Sequence, residues 1–373
     1  MKKVGILGGG QLGKMLLQQA ANYPVETFVL ENDADCPAAH LCHHFHQGDI
    51  RNYDAVLQFG SLVDVITIEI ESVNIDALET LERNGKTVIP RTAVLRTIKN
   101  KILQKEFYRD HAIPSPEFVI TQTNAMLQEF KHMLPAVHKV GEGGYDGKGV
   151  QMIESEKDIP NGFNAPAVLE KKIDIVKEIA VIVAVDQQLK SVLYPPVEML
   201  FDPYLNLLDF QLCPAQLDKE VLWKIEAICM KLVKAFSSAG LFAIELLVEK
   251  SGEVWVNETA PRVHNSGHHT IEAHYSSQYD MLWRIMLNYP LGNADAHSPS
   301  VLINLIGEPD HAGEAVYEGL ENVLQMSGSY AHIYGKRETK PGRKMGHVTV
   351  LGTDRVDLVR KAKMVKDTLK VKS

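Results

Sequence analysis

The sequence has 373 residues, of which 45% are hydrophobic and 23% are charged. That balance is typical of a globular chain long enough for two or three domains, and it argues against extended disorder. The formal net charge of -8 also argues against a nucleic-acid partner bound by a broad basic face.

Neither targeting nor disulfide signals stand out in the sequence. The N-terminal "MKKVGILGGG" reaches glycines after a short apolar run, and no stretch approaches the roughly 18 apolar residues that span a bilayer. The four cysteines, Cys36, Cys42, Cys213 and Cys229, form no CxxC pair. We therefore predict a cytoplasmic protein with reduced thiols, without a signal peptide or a membrane segment.

The N-terminal quarter of the chain alternates between strand and helix patterns. "KKVGIL", "VETFVLEN" and "VDVITIEIESV" are typical of strands, and the helical pattern "QLGKMLLQQAANY" separates the first two. Such alternation predicts a parallel α/β sheet, so we assign residues 1–95 to a Rossmann-like domain.

The pattern changes after Pro90. "TAVLRTIKNKILQKEFYRDH" predicts one long cationic helix closed by a proline-rich turn, and short strands around a glycine-rich loop follow it. Together they predict a small mixed α+β module over residues 96–185. The remaining residues, 186–373, show strand patterns, a helix from about Asp218 to Ala239, and a C-terminal helix after Asp354.

The first glycine loop allows three interpretations. Gly8, Gly10 and Gly13 satisfy G-x-G-x-x-G between a strand and a helix, and Glu31 falls where a dinucleotide fold places its ribose-binding acid. This pattern predicts NAD, yet free amides at a helix N-terminus attract any anion. A nicotinamide cofactor, an anion or substrate site, and a tight structural turn therefore all remain open.

The second glycine loop, "GEGGYDGKG" over residues 141–149, lies between two strand patterns. A P-loop would require glycine in place of Glu142, Ser or Thr after Lys148, and a following helix, and all three are missing. We expect a hairpin flap whose amides and Lys148 fold over phosphates. A surface hairpin without a ligand is the alternative.

The segments on either side of the turn dipeptide "SG" predict a β-hairpin with paired acidic side chains. With a two-residue loop of Ser251 and Gly252, Glu245 faces Glu258, whereas a three-residue loop makes it face Asn257. Both registers bring hard oxygen donors together, which suits Mg²⁺ better than zinc. The alternative is two separate solvated glutamates, but Glu245 lies in an otherwise apolar strand, where a lone buried carboxylate costs free energy.

Histidines after this hairpin raise the question of a zinc site. His264 and His268 are spaced i, i+4, but a proline and an Asn-Ser-Gly run interrupt any helix that would align them. We give His268 and His269 no role beyond shaping the site. The cluster "HLCHHFH" at residues 40–46 is interpreted as a loop and strand rather than as metal ligands.

Taken together, several segments resemble the ATP-grasp ligases, and within them the 5-(carboxyamino)imidazole ribonucleotide synthetases of purine biosynthesis. The matching segments are "GILGGGQLGKML", "TIEIESV", "EGGYDGKG", "NETAPRVHNSGHHT" and "YGKRETKPGRKMGHVTV", in the family's order over nearly the whole chain. The resemblance implies an N-terminal Rossmann-like domain, a central lid and a C-terminal ATP-grasp domain. It also implies that ATP activates bicarbonate as carboxyphosphate, whose CO2 is captured by the amine of aminoimidazole ribonucleotide.

For ATP and its metal, the resemblance assigns residues in the lid and the C-terminal domain. Glu245 and Glu258 would hold Mg²⁺. The residues expected to contact ATP are Lys101, Lys139, Gly143, Gly144, Gly147, Gly149, Glu170, Lys171, Lys172, Ile173, Glu178 and Asn257.

For the ribonucleotide, the resemblance assigns the first glycine loop and a basic C-terminal segment. The expected substrate contacts are Gln11, Leu12, Glu71, Lys336, Arg343 and Lys344. The expected catalytic residues are Tyr145, Asp146, Lys148, Arg262, His264 and Asn265. Among these, Arg262 would offset the charge of carboxyphosphate and His264 would carry a proton.

One departure from the family pattern is Met199 and Phe201, which stand where the family usually carries Asn and His. It puts nucleotide contacts in doubt there and leaves open a non-catalytic nucleotide-binding regulator. The motifs also leave open a formate-using glycinamide ribonucleotide transformylase and an NAD-dependent dehydrogenase. The family implies a homodimer and a downstream mutase that consumes the product.

Overall fold

A computed structural model describes residues 1–144, 149–201 and 208–373, without the side chains of residues 201, 208 and 209. Its larger sheets are a five-stranded, a four-stranded and a nine-stranded sheet. Within the described ranges, no helix combines the length and apolar character needed to cross a membrane.

The N-terminal unit is the parallel sheet that the strand and helix alternation predicts. Its elements are β1 (Lys2–Leu7), α1 (Gln11–Ala20), β2 (Val25–Glu31), β3 (His44–Gln47), α2 (Tyr53–Ser61), β4 (Val65–Ile68), α3 (Ile75–Arg83) and β5 (Thr87–Ile89). The strand order is β3-β2-β1-β4-β5, and every pairing is parallel. Because the order reverses between β1 and β4, a crevice is expected at their carboxyl ends. The first glycine loop and Glu71 both lie there.

The prediction of one long cationic helix after Pro90 is wrong, because the chain forms two helices there: α4 (Thr92–Lys99) and α5 (Lys101–Asp110). Asn100 between them is extended, with φ -111° and ψ 117°. Its side chain accepts hydrogen bonds from the amides of Ile102 and Leu103, which makes it the N-cap of α5. Because of this break, α5 begins at Lys101, whose side chain lines a small polar cavity.

The central unit, which we call the lid, is a four-stranded antiparallel sheet in the order β6-β9-β7-β8. Its strands are β6 (Phe118–Thr121), β7 (Ala136–Val140), β8 (Val150–Ile153) and β9 (Ala167–Lys171), with 3-10 turns at Asn124–Gln128, Lys131–Met133 and Glu156–Asn161. β7 and β8 pair directly on either side of the second glycine loop, which confirms the predicted hairpin.

The nine-stranded sheet has the order β15-β14-β10-β12-β13-β16-β21-β19, with β11 paired to β10. Its strands are β10 (Ile175–Val185), β11 (Ser191–Leu193), β12 (Val197–Phe201), β13 (Leu208–Cys213), β14 (Gly240–Glu249), β15 (Val254–Ala260), β16 (Ser300–Ile306), β19 (Ser329–Ile333) and β21 (Lys344–Leu351). Although β10 precedes the domain boundary predicted at residue 186, it pairs with β14 and β12 of this sheet.

Helices and short strands complete this last unit. They are α6 (Lys219–Phe236), a 3-10 turn at Asn265–Gly267, α7 (Thr270–Ala273), α8 (Gln278–Leu287), β17 (Gly313–Glu314), β18 (Val316–Glu318), α9 (Leu320–Leu324), β20 (Glu338–Thr339), α10 (Arg355–Thr368) and β22 (Lys370–Lys372). The helices α6 and α10 match the two helices that the sequence predicts in this region.

The N-terminal unit is fixed to the C-terminal unit by a shared core between α1 and α8. Leu16, Trp283 and Tyr279 are buried in one apolar cluster, and the Trp283 indole donates to the Leu16 carbonyl at 2.7 Å. Burying side chains of this size stabilises the contact by roughly 1.5–3 kcal/mol each. This packing brings the first glycine loop next to the stretch after β15.

Candidate active site

Glu245 and Glu258 lie directly opposite each other on β14 and β15. The loop between the strands has three residues, because Glu249 pairs with Glu253 and Gly252 closes the turn at φ +81°. Continued regularly, that loop would place Glu245 opposite Asn257. A β-bulge between Glu245 and Leu246 shifts the register by one residue and restores the pairing with Glu258.

The bulge explains why three oxygen donors meet at one place. Glu245 pairs with Glu258 while Leu246 pairs with Val256, so Asn257 is the extra residue on β15. Val256 is buried in the apolar core, whereas Asn257 and Glu258 are both partly exposed and line the same small cavity. The predicted pairing of Glu245 with Glu258 is therefore confirmed, and of the two loop lengths that the sequence left open the structure has the three-residue one.

The two glutamates have opposite pKa shifts. Burial and the neighbouring Glu258 raise the pKa of Glu245 to about 8. The ammonium of Lys101, whose Nζ is 2.5 Å from Glu258 Oε2, lowers the pKa of Glu258 to about 2. Near neutral pH, Glu258 is thus ionised and Glu245 is protonated. A divalent cation bound between them would favour the ionised form of both carboxylates.

A cluster of lysines surrounds these donors. Lys139 on β7 donates to Asn257 Oδ1 at 2.9 Å and lies 3.1 Å from Glu170 on β9. Lys105 on α5 is 3.3 Å from the same Glu170 oxygen, and the side chains of both residues are almost completely buried. Three units of the fold therefore meet in a polar cavity.

Sequence reasoning missed Lys105. Burial lowers its pKa to about 8, against the opposing effect of Glu170. Its position four residues after Lys101 places both side chains on one face of α5, and this spacing was the available signal. Glu178 on β10 is close enough to Glu245 for its negative charge to raise the pKa of Glu245. Burial also raises the pKa of Glu178 itself.

The first glycine loop is filled by the protein's own carboxylates. Glu69 accepts hydrogen bonds from the amides of Gly10 at 2.6 Å and Gly13 at 2.7 Å, and Glu31 accepts from Gly9 at 3.0 Å. Because these amides are occupied, the loop offers little to a pyrophosphate, and the basis for a nicotinamide cofactor is removed. The structure supports the tight structural turn.

Glu69 also accounts for the glycines of the motif. A Cβ atom on Gly10 would lie 2.6 Å from Glu69 Oε1, and one on Gly8 would lie 2.5 Å from Glu69 Cγ. Sequence reasoning missed Glu69, although it is the acidic residue directly after β4, two positions before Glu71. Of the predicted substrate contacts at this loop, Gln11 is partly exposed, whereas Leu12 is buried in the core.

Glu71 and Arg262 form the ion pair that joins the N-terminal unit to the stretch after β15. Arg262 Nε is 2.9 Å from Glu71 Oε1, and both side chains are mostly buried. Arg262 also acts electrostatically on Glu69. Two residues that the sequence assigned to different roles, substrate contact and catalysis, are therefore neighbours.

His264 lies between Glu245 on β14 and the 3-10 turn that follows β15. Its Nε2 is 3.9 Å from Glu245 Oε1, and its Nδ1 is 2.9 Å from Ser266 Oγ. Gln278 fixes the main chain of His264 from both sides, accepting from its amide and donating to its carbonyl. Asn265 follows in the 3-10 turn, where its carbonyl is a weak acceptor for Gln211 on β13 at 3.4 Å.

The other histidines of this stretch point elsewhere. His268 is buried and its Nδ1 lies 2.8 Å from the Tyr279 hydroxyl. His269 is buried beside His274. The histidines at residues 40–46 lie in a loop and at β3, where His44 pairs with Glu26.

The basic C-terminal segment turns at Gly342, whose φ is +72°. Lys336 Nζ donates to the Lys344 carbonyl at 2.6 Å, and Arg343 donates to the Glu338 carbonyl. Lys344 is close enough to Glu245 to lower its pKa. The Lys344 end of this segment is thus the part that lies near the carboxylate pair.

Three family models match the chain. They are an ATP-grasp domain over residues 106–279, a ribonucleotide synthetase preATP-grasp domain over residues 1–99, and a phosphoribosylaminoimidazole carboxylase C-terminal domain over residues 300–361. The ATP-grasp model covers the four-stranded sheet and the first strands of the nine-stranded sheet, and the carboxylase C-terminal model covers the later strands of that sheet, β16, β19 and β21.

Solved structures of full-length relatives agree with these models. The fold is similar to that of N5-carboxyaminoimidazole ribonucleotide synthetase from Thermotoga maritima, with a TM-score of 0.92, 35% identity and 100% of both chains covered. It is also similar to the synthase from Aspergillus clavatus in complex with ADP and 5-aminoimidazole ribonucleotide, with a TM-score of 0.89, 31% identity and 98% of each chain covered. The chain belongs to the N5-carboxyaminoimidazole ribonucleotide synthase family.

This membership confirms the resemblance and the ATP-grasp fold that the sequence predicts, and it identifies the chain as an ATP-grasp ligase. A longer plant relative, the chloroplastic phosphoribosylaminoimidazole carboxylase of Vigna aconitifolia, is 32% identical over 94% of this chain. The chain spans 64% of that relative's length.

Several residues that the synthase resemblance assigns are not at the cavity or lie outside the described residues. Tyr145, Asp146, Gly147 and Lys148 are outside the described ranges, as is the side chain of Phe201. Lys171 and Lys172 are exposed on the lid and pair with Glu117 and Glu154, and Ile173 is partly exposed beside them. Within the predicted "EKKI" segment, it is the Glu170 side chain that lines the cavity.

The remaining glycines and Met199 have clear structural surroundings. Gly149 packs against Gly144 at the base of the flap, where an added Cβ would lie 2.8 Å from the Gly144 Cα. Gly143 has a φ of +83°. Met199 is buried on β12 opposite Glu178, so it contributes an apolar wall near that carboxylate.

Proposed function

We propose that this synthase-family chain uses ATP and bicarbonate to carboxylate the exocyclic amine of 5-aminoimidazole ribonucleotide. The observation that carries the proposal is the continuity of one short stretch, from Asn257 to Asn265. It begins among oxygen donors and lysines suited to Mg·ATP and ends among the groups suited to the ribonucleotide. Activation by ATP and capture by the amine would therefore take place in one cavity.

The ATP half of the proposal rests on the donor set at the hairpin. Glu245 and Glu258 would hold Mg²⁺ with help from Asn257, because paired carboxylate and amide oxygens suit a hard cation. A bound Mg²⁺ would supply positive charge that offsets the charge of the phosphates. Lys101 and Lys139, which now contact Glu258 and Asn257, would turn to the phosphates of ATP.

The substrate half rests on charges that converge from two units. Arg262 would offset the charge of carboxyphosphate, and its guanidinium is held by the ion pair with Glu71 and by a hydrogen bond to the Val263 carbonyl. Lys336, Arg343 and Lys344 would bind the ribonucleotide phosphate, and Gln11 and Glu71 would contact the sugar and base. His264 would take the proton from the amine beside Glu245.

The wider setting follows from the family resemblance alone. We infer a cytoplasmic homodimer whose labile product is consumed by a mutase. Tyr145, Asp146 and Lys148, which lie outside the described residues, would take part in the carboxylate transfer as the resemblance implies.

The direct test is ADP release on mixing the protein with Mg·ATP, bicarbonate and 5-aminoimidazole ribonucleotide. We expect ADP release to depend on the ribonucleotide and to stop when formate replaces bicarbonate. Release that is indifferent to the ribonucleotide would reject the substrate assignment. Release that formate supports would favour a formate-using relative of the same fold.

The variant Glu71→Gln tests the substrate half separately. Without its partner, Arg262 loses its fixed direction, so we expect kcat/KM for the ribonucleotide to fall at least about tenfold, which corresponds to about 1.4 kcal/mol. The affinity for Mg·ADP, measured by calorimetry, should stay unchanged. Glu154→Gln, at an exposed ion pair on the lid, is the matched control.

A further inference from the structure

Three side chains of the types that can bind transition metals lie close together after the 3-10 turn at Asn265–Gly267 and at the end of β13. They are Cys213 at the end of β13, His269 just before α7, and His274 just after it. One ligand atom from each lies within 4.8 Å of the others, and all three residues are at most 5% exposed. They are separate from the carboxylate pair, which offers only oxygen donors.

His274 has the orientation of a metal ligand. Its Nδ1 lies 2.8 Å from the Ala294 carbonyl, so Nδ1 carries the hydrogen and Nε2 has the lone pair. That Nε2 is 3.7 Å from Cys213 Sγ. A tetrahedral zinc ion with ordinary bond lengths separates its sulfur and nitrogen ligands by about 3.5 Å. A carbonyl that holds the second ring nitrogen is the usual outer partner of a metal-bound histidine.

The surroundings of His269 are a second feature that points to a bound metal ion. Its ring is 2% exposed, and neither ring nitrogen has a hydrogen-bond partner of ordinary geometry within the described part of the chain. Burial lowers the pKa of His269 far below its ordinary value, and the nearby main chain of Ser266 opposes this only in part. A buried polar atom without a partner costs about 1–3 kcal/mol, so two of them on one side chain require an explanation.

We propose that Cys213, His269 and His274 bind one zinc ion. The thiol of Cys213 gives up its proton to solvent when the zinc–sulfur bond forms, so one proton is released for each ion bound. Because the described residues provide three ligands, a water molecule takes the fourth position.

The ion would brace the substrate side of the cavity. Gln211, two residues before Cys213 on β13, donates to the Ser266 carbonyl at 3.0 Å. A zinc ion between Cys213 and His269 would add a second link between β13 and the stretch that carries His264 and Asn265. Since the site is buried, the ion enters as the chain folds.

The test is the zinc content of the full chain, produced in zinc-supplemented medium and measured by elemental mass spectrometry after gel filtration. We expect one zinc per chain in the wild type and less than a tenth of that in Cys213→Ala. Cys229→Ala, which removes a buried cysteine from another core, should keep its zinc. Glu258→Gln should also keep it, because that variant alters only the proposed magnesium site.

His269→Phe guards against a failure to fold, since it replaces the ring by an apolar one of similar size. If zinc is bound, this variant loses the ion and melts at a lower temperature than the wild type. If the cluster holds no metal, removing two unpaired nitrogens raises the melting temperature. Cobalt substitution should give a thiolate charge-transfer band that Cys213→Ala lacks.

A folded wild-type chain without zinc, or equal zinc in Cys213→Ala, would overturn the proposal. Neither result would bear on ribonucleotide-dependent ADP release, because metal content is measured without substrates. Failure of the proposed function would likewise leave the zinc content unchanged.

Discussion

Glu245 and Glu258 are chemically identical side chains on neighbouring strands, and their surroundings give them opposite proton affinities. Lys101 pairs with Glu258 and lowers its pKa, whereas burial and the charge of Glu258 raise the pKa of Glu245 to about 8. At the residue scale, the site without a cation therefore holds one carboxylate and one carboxylic acid near neutral pH.

The raised pKa of Glu245 predicts how pH affects magnesium binding. Since Mg²⁺ binds the ionised form, the apparent affinity of Mg·ADP should rise up to about tenfold per pH unit below pH 8. We expect Glu245→Gln, measured by calorimetry at pH 6, 7 and 8 beside the wild type, to lose most of this dependence. The same pH profile in both proteins would contradict the assignment.

The same shift affects stability without magnesium. The folded pKa of Glu245 exceeds its ordinary value of 4.5, so protonation stabilises the fold fully below pH 4.5, and this contribution is lost as the pH rises through about 8. The free energy of unfolding of the wild type, measured with urea, should thus fall relative to that of Glu245→Gln over this interval. A constant difference would show that Glu245 is ionised throughout.

At the scale of elements, the first glycine loop and β4 form one unit. An anion at the N-terminus of α1 is one of the three interpretations that the sequence pattern allows, and in the structure the buried Glu69 side chain occupies that position. The glycines therefore make room for a side chain of the protein rather than for a cofactor.

Gly10→Ala tests this interpretation. Its Cβ would lie 2.6 Å from Glu69 Oε1, so we expect a loss of about 1–3 kcal/mol in the free energy of unfolding. Gly85→Ala is the contrasting variant, since φ is +86° there and nothing lies within 4 Å, so it strains only the backbone. If Glu69 is truncated in Glu69→Ala, the cost of Gly10→Ala should fall, and a cost that stays the same would contradict the contact.

At the scale of the whole molecule, the cavity is where the lid, α5 and the nine-stranded sheet meet. Lys139 of the lid contacts Asn257 of β15, and Lys105 of α5 contacts Glu170 of the lid. A nucleotide bound here would contact both sheets, so its binding should order them together.

Hydrogen exchange can measure this coupling. With Mg²⁺ and a non-hydrolysable ATP analogue, amides of β7 and β9 should gain protection together with those of β14 and β15. In Lys139→Met we expect the gain in the lid to be largely lost while β14 and β15 keep theirs. Lys172→Met, at an exposed lid ion pair, should behave like the wild type. Protection confined to one sheet in the wild type would reject a shared site.

Much of this architecture follows from local patterns. Strand and helix alternation predicts the parallel N-terminal sheet, and turn residues predict both hairpins, because hydrophobic periodicity and turn chemistry act over a few residues. The break at Asn100 was missed because the helical pattern continues through it, and the cap is visible only in its contacts with Ile102 and Leu103.

The sequence by itself determined which chemical groups are available: paired acids, lysines, an arginine and histidines in recognisable segments. Only the tertiary structure decided how they combine, through the bulge at Asn257, the insertion of Glu69 into the glycine loop, and the meeting of Cys213 with His269 and His274. These contacts join residues that are distant in sequence, so they depend on how the sheets pack, and local periodicity carries no record of that packing.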